Sequence, residues 1–175
     1  RLLRDKGVYE FVEAARILRG RGREASFLLI GDPDPSNPTS VSRTEIEAWV
    51  AEGVVQWIPH TADVASVLAT LHIVALPSYR EGFPKTLIDA AAAGRASVTS
   101  DVPGCRDAIV DGVTGLLCPA MDKGALADAL DRLVLDRALC LQMGQAARMH
   151  AEAKFDVNDV TRRHVEIYHE RATAN

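Results

Sequence analysis

The chain has 175 residues, enough for one domain of ordinary size and short for two. Acidic residues outnumber basic ones, 24 to 20, and the formal net charge of −4 excludes the concentrated basic surface that grips a nucleic-acid backbone. A hydrophobic share of 47% supports a packed core and excludes a disordered chain.

Helical periodicity comes first: Val8, Phe11, Val12, Ala15 and Leu18 fall on one face, and Gly20 and Gly22 end the run. Ser26 to Ile30 is a short, continuous apolar run, as in a strand buried on both faces. Gly31 to Pro38, with three prolines and a glycine, is a loop. Ser42-Arg43-Thr44-Glu45 has the capping-box pattern and predicts a helix to about Glu52. The alternation continues with a strand over Val54 to Ile58, a helix over Ala62 to Leu71 and a strand over Ile73 to Leu76. A helix over Thr86 to Ala93, a strand over Ala96 to Thr99, a short helix over Gly104 to Val110 and a strand over Gly115 to Cys118 follow. Beyond Pro119 the pattern is wholly helical: Ala125 to Leu135, Arg137 to Lys154 and Val157 to Arg171.

Strands alternating with helices predict an α/β fold with a doubly wound, parallel sheet and right-handed crossovers. The chain reads as one domain over 1–175, with an α/β core at 1–119 and helices at 120–175. A unit of this kind opens with a strand, whereas Arg1-Leu2-Leu3 leads almost directly into a helix. The expectation is a first strand ahead of Arg1 and a parent protein longer than this chain. Without that strand, neighbouring strand edges stand open and invite self-association.

Metal and redox chemistry have little support. Cys105, Cys118 and Cys140 form no C-x-x-C pair, and no histidine pairs with a cysteine at metal-ligand spacing. The cysteines read as reduced thiols of a cytoplasmic protein, and Cys105 as a small apolar packing residue. No metal is expected. No apolar run approaches the ~20 residues that span a bilayer.

In an open parallel sheet, ligands bind at the carboxyl ends of the strands. The most informative loop there is Leu76 to Thr86. Gly82 admits close backbone approach, Pro84 suits a first helical position, and the amides of Lys85, Thr86 and Leu87 should point outward at the positive end of the helix dipole. That is an anion site, most naturally for phosphate, without the G-x-G-x-x-G or lysine-bearing Gly-rich loop of other nucleotide binders. Glu81 and Asp89 flank the turn. A bound diphosphate would repel them, so hydroxyls of a ribose or sugar are their expected partners. Arg1, Arg4 and Lys6 supply cations at a second strand end, or else form a solvated charged terminus. The run from Thr99 to Asp107 either faces a ligand near Gly104 or is a plain connector.

These residues carry a resemblance. Arg1 with Lys6-Gly7, Gly31-Asp32, Pro77-Ser78-x-x-Glu81-Gly82-Phe83-Pro84, Asp89-Ala90 with Gly94, and Asp111-Gly112-x-Thr114-Gly115-Leu116-Leu117 resemble the carboxyl-terminal half of family 4 retaining glycosyltransferases. The resemblance implies the GT-B fold, in which two Rossmann-like domains face across a cleft. This half would bind the nucleoside diphosphate sugar, and an amino-terminal half the acceptor. Arg1 and Lys6 would then contact the diphosphate, and Glu81 would face the donor sugar. Asp89 stands where the family has glutamate, and would hold a ribose hydroxyl. Pro84 stands where many relatives have glycine. Gly82, Phe83, Lys85 and Thr86 would cradle the donor, while Pro59 and His60 would pack on the base through their backbone. No cofactor beyond the UDP-sugar substrate is implied.

Tyr79 to Lys85 and Thr99 to Asp107 resemble, more narrowly, bacterial enzymes that extend undecaprenyl-diphosphate-linked sugars in capsule, O-antigen or glycan assembly. A UDP-hexosamine donor is the corresponding expectation, with cytoplasmic placement and any contact with the inner membrane made through the missing half. The final helices, with Phe155, Val160, Val165 and Tyr168 apolar, would reach across to that half. A nucleotide-sugar epimerase and a non-catalytic nucleotide-binding module are the competing readings.

Overall fold

The computed structural model of the chain describes residues 1–173. A 3-10 turn at Arg4–Lys6 leads through Gly7 into α1 (Val8–Gly20). The α/β alternation follows as β1 (Leu28–Ile30), α2 (Arg43–Ala51), β2 (Gln56–Ile58), α3 (Val64–Thr70) and β3 (Ile73–Leu76). It closes with α4 (Lys85–Ala92), β4 (Ala96–Ser100), α5 (Pro103–Ala108) and β5 (Gly115–Cys118). Three helices complete the chain: α6 (Lys123–Leu135), α7 (Arg137–Lys154) and α8 (Val157–Thr173). The Val160 side chain lies outside the described residues.

Local chemistry sets the starts of several helices. Ser42 completes the capping box: its hydroxyl accepts from the Glu45 amide at 3.2 Å while the Glu45 carboxylate accepts from the Ser42 amide at 2.9 Å. Asp63, Asp122 and Asp136 cap α3, α6 and α7, each accepting from the amide three residues on.

All strand pairs are parallel. β4 lies between β3 and β5, with Val98 opposite Ala75 and Leu116. Period-two alternation divides these strands between two faces. Ala96 and Val98 of β4, Ile73 and Ala75 of β3, and Leu116 and Cys118 of β5 join the main core with α1, α6 and α7. Leu76 and Leu117 point the other way, onto Leu87, Cys105, Ala108 and Ile109 of α4, α5 and the turn after α5. Helices therefore cover both faces, as in a doubly wound sheet.

The sheet is divided. β1 pairs with β2 and β3 with β4, and β1 and β3 have no ladder between them. Their facing edges border a cavity of about 1030 Å3 that runs from the residues ahead of the strands to the loops at their carboxyl ends. All five residues of β4 are buried, whereas Leu28, Ile30, Ile73, Ala75 and Leu76 on the two open edges are only half-buried. Arg1 starts beside Gly31, just past β1, and the Leu2 amide donates to the Asp32 carbonyl at 2.9 Å.

Several boundaries differ by a few residues from those read in the sequence, two of them for plain local reasons. Val54 is claimed by the end of α2, its amide donating to the Trp49 carbonyl at 3.1 Å, so β2 starts later. α5 stops at Ala108 because Val110 is drawn into a turn with Thr114, whose hydroxyl accepts from the Val110 amide at 2.8 Å.

Candidate functional site

The carboxyl ends of β1 and β3 bring Lys6 and Glu81 together across 75 residues of chain. Lys6 Nζ donates to Glu81 Oε1 at 2.6 Å, with the two side chains 36% and 10% exposed. Lys6 closes the 3-10 turn, and Gly7 after it adopts φ +72°. A Cβ on Gly7 would lie 2.1 Å from the Pro77 carbonyl oxygen, so only glycine lets this turn sit against the loop after β3.

That loop is tied back to the turn. The Tyr79 amide donates to the Asp5 carbonyl at 2.9 Å, and the buried Ser78 hydroxyl lies 3.0 Å from the same oxygen and 3.3 Å from the Arg80 carbonyl. Tyr79 Oη donates to Glu10 Oε1 on α1 at 2.7 Å. Burial, and then the Glu10 carboxylate, push the Tyr79 phenol up to about 12. On the far side, α5 begins under the Glu81–Gly82 segment. A Cβ on Gly104 would lie 2.2 Å from the Gly82 carbonyl oxygen, which explains that glycine better than a turn does.

Helix α4 presents its amino terminus to the same opening. Pro84 is the residue before the helix, with φ −78° and ψ 104°, rather than its first position, and Lys85 is the first helical residue, one place ahead of the expected Thr86. The Leu87 amide, expected to be free, donates back to the Pro84 carbonyl at 3.0 Å. This narrows the helix tip to the amides of Lys85 and Thr86. Phe83, 52% exposed, stacks edge-on against Phe155 at 5.4 Å.

The remaining candidates are arranged less tightly. Arg1 Nη1 pairs with Asp34 Oδ2 at 2.9 Å, and its side chain is 68% exposed. The Ser36 hydroxyl, followed by the Arg1 guanidinium, holds the Asp34 carboxyl below its ordinary range. Lys85 Nζ contacts both oxygens of Asp89 at 2.7 Å, one helical turn away. Pro59 and His60 are exposed, and the His60 amide donates to Asp32 Oδ1 at 3.2 Å, so this residue is held through its main chain. Arg1, Lys6, His60, Glu81, Phe83, Pro84, Lys85 and Thr86 all line the cavity. Gly82, Asp89 and Pro59 stand beside it rather than on its wall.

Cys105 and Cys118 are buried, and burial pushes their thiols up, Cys118 to about 11, which keeps them protonated near neutral pH. Among the described residues no group of three or more His, Cys, Asp or Glu is placed to hold a metal ion. Among the same residues no helix is long and apolar enough to cross a membrane.

Sequence reasoning missed Ser78, Tyr79 and Glu10 as parts of the site. Ser78 and Tyr79 lay within the quoted loop motif, but their partners sit some seventy residues away, beyond the reach of local pattern.

Comparison with known proteins places this geometry in a family. The description "Glycosyl transferases group 1" matches residues 1–136. The chain is 33% identical, over 96% of its length and 42% of the relative, to the N,N'-diacetylbacillosaminyl-diphospho-undecaprenol alpha-1,3-N-acetylgalactosaminyltransferase of Campylobacter jejuni. It superposes on Anabaena HepE in complex with UDP with a TM-score of 0.86 at 21% identity, over 97% of this chain and 47% of that one. The C-terminal domain of a glycosyl transferase group 1 family protein from Francisella tularensis matches with a TM-score of 0.77 at 26% identity, over 90% of this chain and 83% of that one. The chain thus spans about two-fifths of the Campylobacter relative and most of the excised Francisella domain. By the family match over most of its length and by its fold, the chain belongs to the group 1 glycosyl transferases and corresponds to the carboxyl-terminal domain of the GT-B architecture.

Proposed function

We propose that this chain is the donor-binding domain of a retaining glycosyltransferase that moves a sugar from a UDP-sugar, a hexosamine by its closer resemblance, to a hydroxyl on a lipid-linked acceptor. The observation that carries the reading is Lys6 and Glu81, paired at 2.6 Å at the carboxyl ends of the strands and facing the tip of α4 in one cavity. The α4 amides and Lys6 bind the diphosphate, an arrangement that favours an anion through both the helix dipole and a fixed ammonium. Lys6 then neutralises the charge that develops on the departing diphosphate, and a donor placed before the reaction needs little reorganisation. Glu81, a carboxylate next to that ammonium, faces the donor sugar and accepts from its hydroxyls. Arg1 swings from Asp34 to the diphosphate, and Asp89 leaves Lys85 for a ribose hydroxyl. Pro59 and His60 support the base.

The acceptor side belongs to an amino-terminal domain, and any membrane contact is made there, on the cytoplasmic face. The unpaired facing edges of β1 and β3, with the cavity between them, support room for one further parallel strand in the sheet.

The test is sugar transfer by the two-domain protein. Glu81→Ala is expected to reduce the transfer rate by roughly a hundredfold to a thousandfold, the range for losing one preorganised electrostatic contact. Unchanged transfer in Glu81→Ala would overturn the assignment. Turnover of UDP-sugar to its epimer without any acceptor would point to an isomerase, and no turnover with any acceptor to a binding module.

A further inference from the structure

We infer that Ser78 is a positioning residue: its buried hydroxyl sets the alignment of Lys6 with Glu81 by holding the two peptide groups from which those side chains spring. Asp5 immediately precedes Lys6, and Arg80 immediately precedes Glu81. The Ser78 oxygen lies between their carbonyls, 3.0 Å from Asp5 O and 3.3 Å from Arg80 O. A hydroxyl has one proton, so the two carbonyls share it as a three-centre bond. The Asp5 carbonyl takes a second bond from the Tyr79 amide at 2.9 Å. Across 75 residues of chain, the Ser78 hydroxyl, wholly buried, is thus the one of these two donors that reaches both backbones.

The surroundings leave little other means of alignment. Gly7 touches the Pro77 carbonyl and stops the turn from moving closer to the loop, while Gly104 does the same beneath Gly82. Both contacts are repulsive walls. They limit approach but do not prevent separation or sliding, whereas a hydrogen bond shared between the two backbones resists both. Tyr79 Oη on Glu10 ties the loop to α1, one turn further along, and leaves the Arg80–Glu81 peptide unconstrained. Apolar replacement at residue 78 would remove the shared donor and leave the Asp5 carbonyl to the Tyr79 amide alone, whereas threonine retains the donor.

The experiment reads the Lys6–Glu81 pairing without any ligand. Trace acetylation of the chain, followed by mass spectrometry, gives the reactivity of Lys6 relative to Lys123 in the same molecule. An ammonium held on a carboxylate reacts slowly. Ser78→Ala is expected to raise the relative rate at Lys6 roughly three- to tenfold, the equivalent of one net hydrogen bond. Glu81→Ala should raise it at least as far, with no further gain on adding Ser78→Ala. Ser78→Thr should restore the slow rate, and Tyr79→Phe should leave it unchanged. A Lys6 rate unmoved by Ser78→Ala in a folded protein, or an equal rise at Lys6 and Lys123, would overturn the inference. So would a full additional gain in the Glu81→Ala background. If Ser78→Ala fails to fold, Ser78→Cys, with its weaker donor, must give an intermediate rate or the inference fails. The consequence for donor binding rests on the proposed function and is read separately. Calorimetry with UDP on the two-domain protein should show weaker binding in Ser78→Ala only while Lys6 is present, and failure of UDP to bind at all would count against that reading and not against the alignment.

Discussion

Two lysine–carboxylate pairs of nearly equal length border the same cavity. Lys6 and Glu81 meet at 2.6 Å across 75 residues, with the carboxylate side chain 10% exposed. Lys85 and Asp89 meet at 2.7 Å across a single helical turn, with the lysine side chain 84% exposed. The first pair exists only because two backbone segments are clamped by Ser78, Tyr79 and the Gly7–Pro77 contact. The second follows from helix geometry and is screened by water, so it contributes little and exchanges partners freely. Distance alone therefore says little about a charge pair. The backbone behind it decides whether the geometry is fixed before a ligand arrives.

The largest expected effect comes from breaking the clamp itself. Gly7→Ala should destabilise the protein by about 3 kcal/mol or more, since the new Cβ meets the Pro77 carbonyl and the backbone is left-handed. A urea midpoint within error of the original would show that the turn moves away from the loop at no cost.

A third acid–base cluster offers a control outside the site. Arg23 and Arg21 both bind Asp131, whose side chain is 12% exposed. The Arg23 guanidinium, more than any other neighbour, holds the Asp131 carboxyl below its ordinary range. A depressed carboxyl stabilises the fold above the unfolded-state value, and that stability is lost as pH falls through the folded-state value. Asp131→Asn should therefore cost about 1–3 kcal/mol near neutral pH and leave a smaller difference from the original at pH 3. A difference that does not shrink with acid would remove the ion pairing as its cause.

Lys85→Ala should have the smallest effect, about 0.3 kcal/mol, as for other exposed pairs one turn apart. A loss comparable to that of Gly7→Ala would erase the contrast between the two pairs.

The parts of this molecule set by nearby residues were legible in the sequence. The capping box at Ser42 and the bounds of β5 are as read, and the alternation of short apolar runs with helical segments gives the parallel strands with helices on both faces. Local pattern also marked the loop carrying Glu81 and the start of α4. It could not show that the Leu87 amide turns back on Pro84, because a residue outside the helix takes that bond. Nor could it show that Arg1 rests on Asp34, or that a serine hydroxyl sits between the Asp5 and Arg80 carbonyls. Those contacts join segments that the folded sheet brings together. The gap between β1 and β3 is of the same kind, visible once the strands are placed and not from the apolar runs themselves.

The account turns on Lys6 as the cation that meets the donor diphosphate. Titration calorimetry of the two-domain protein with UDP tests it most directly, comparing Lys6→Ala with Lys85→Ala. Loss of a charge-assisted contact predicts an affinity lower by roughly tenfold to a hundredfold for Lys6→Ala, and little change for Lys85→Ala. Equal affinities for the original protein and Lys6→Ala would contradict it.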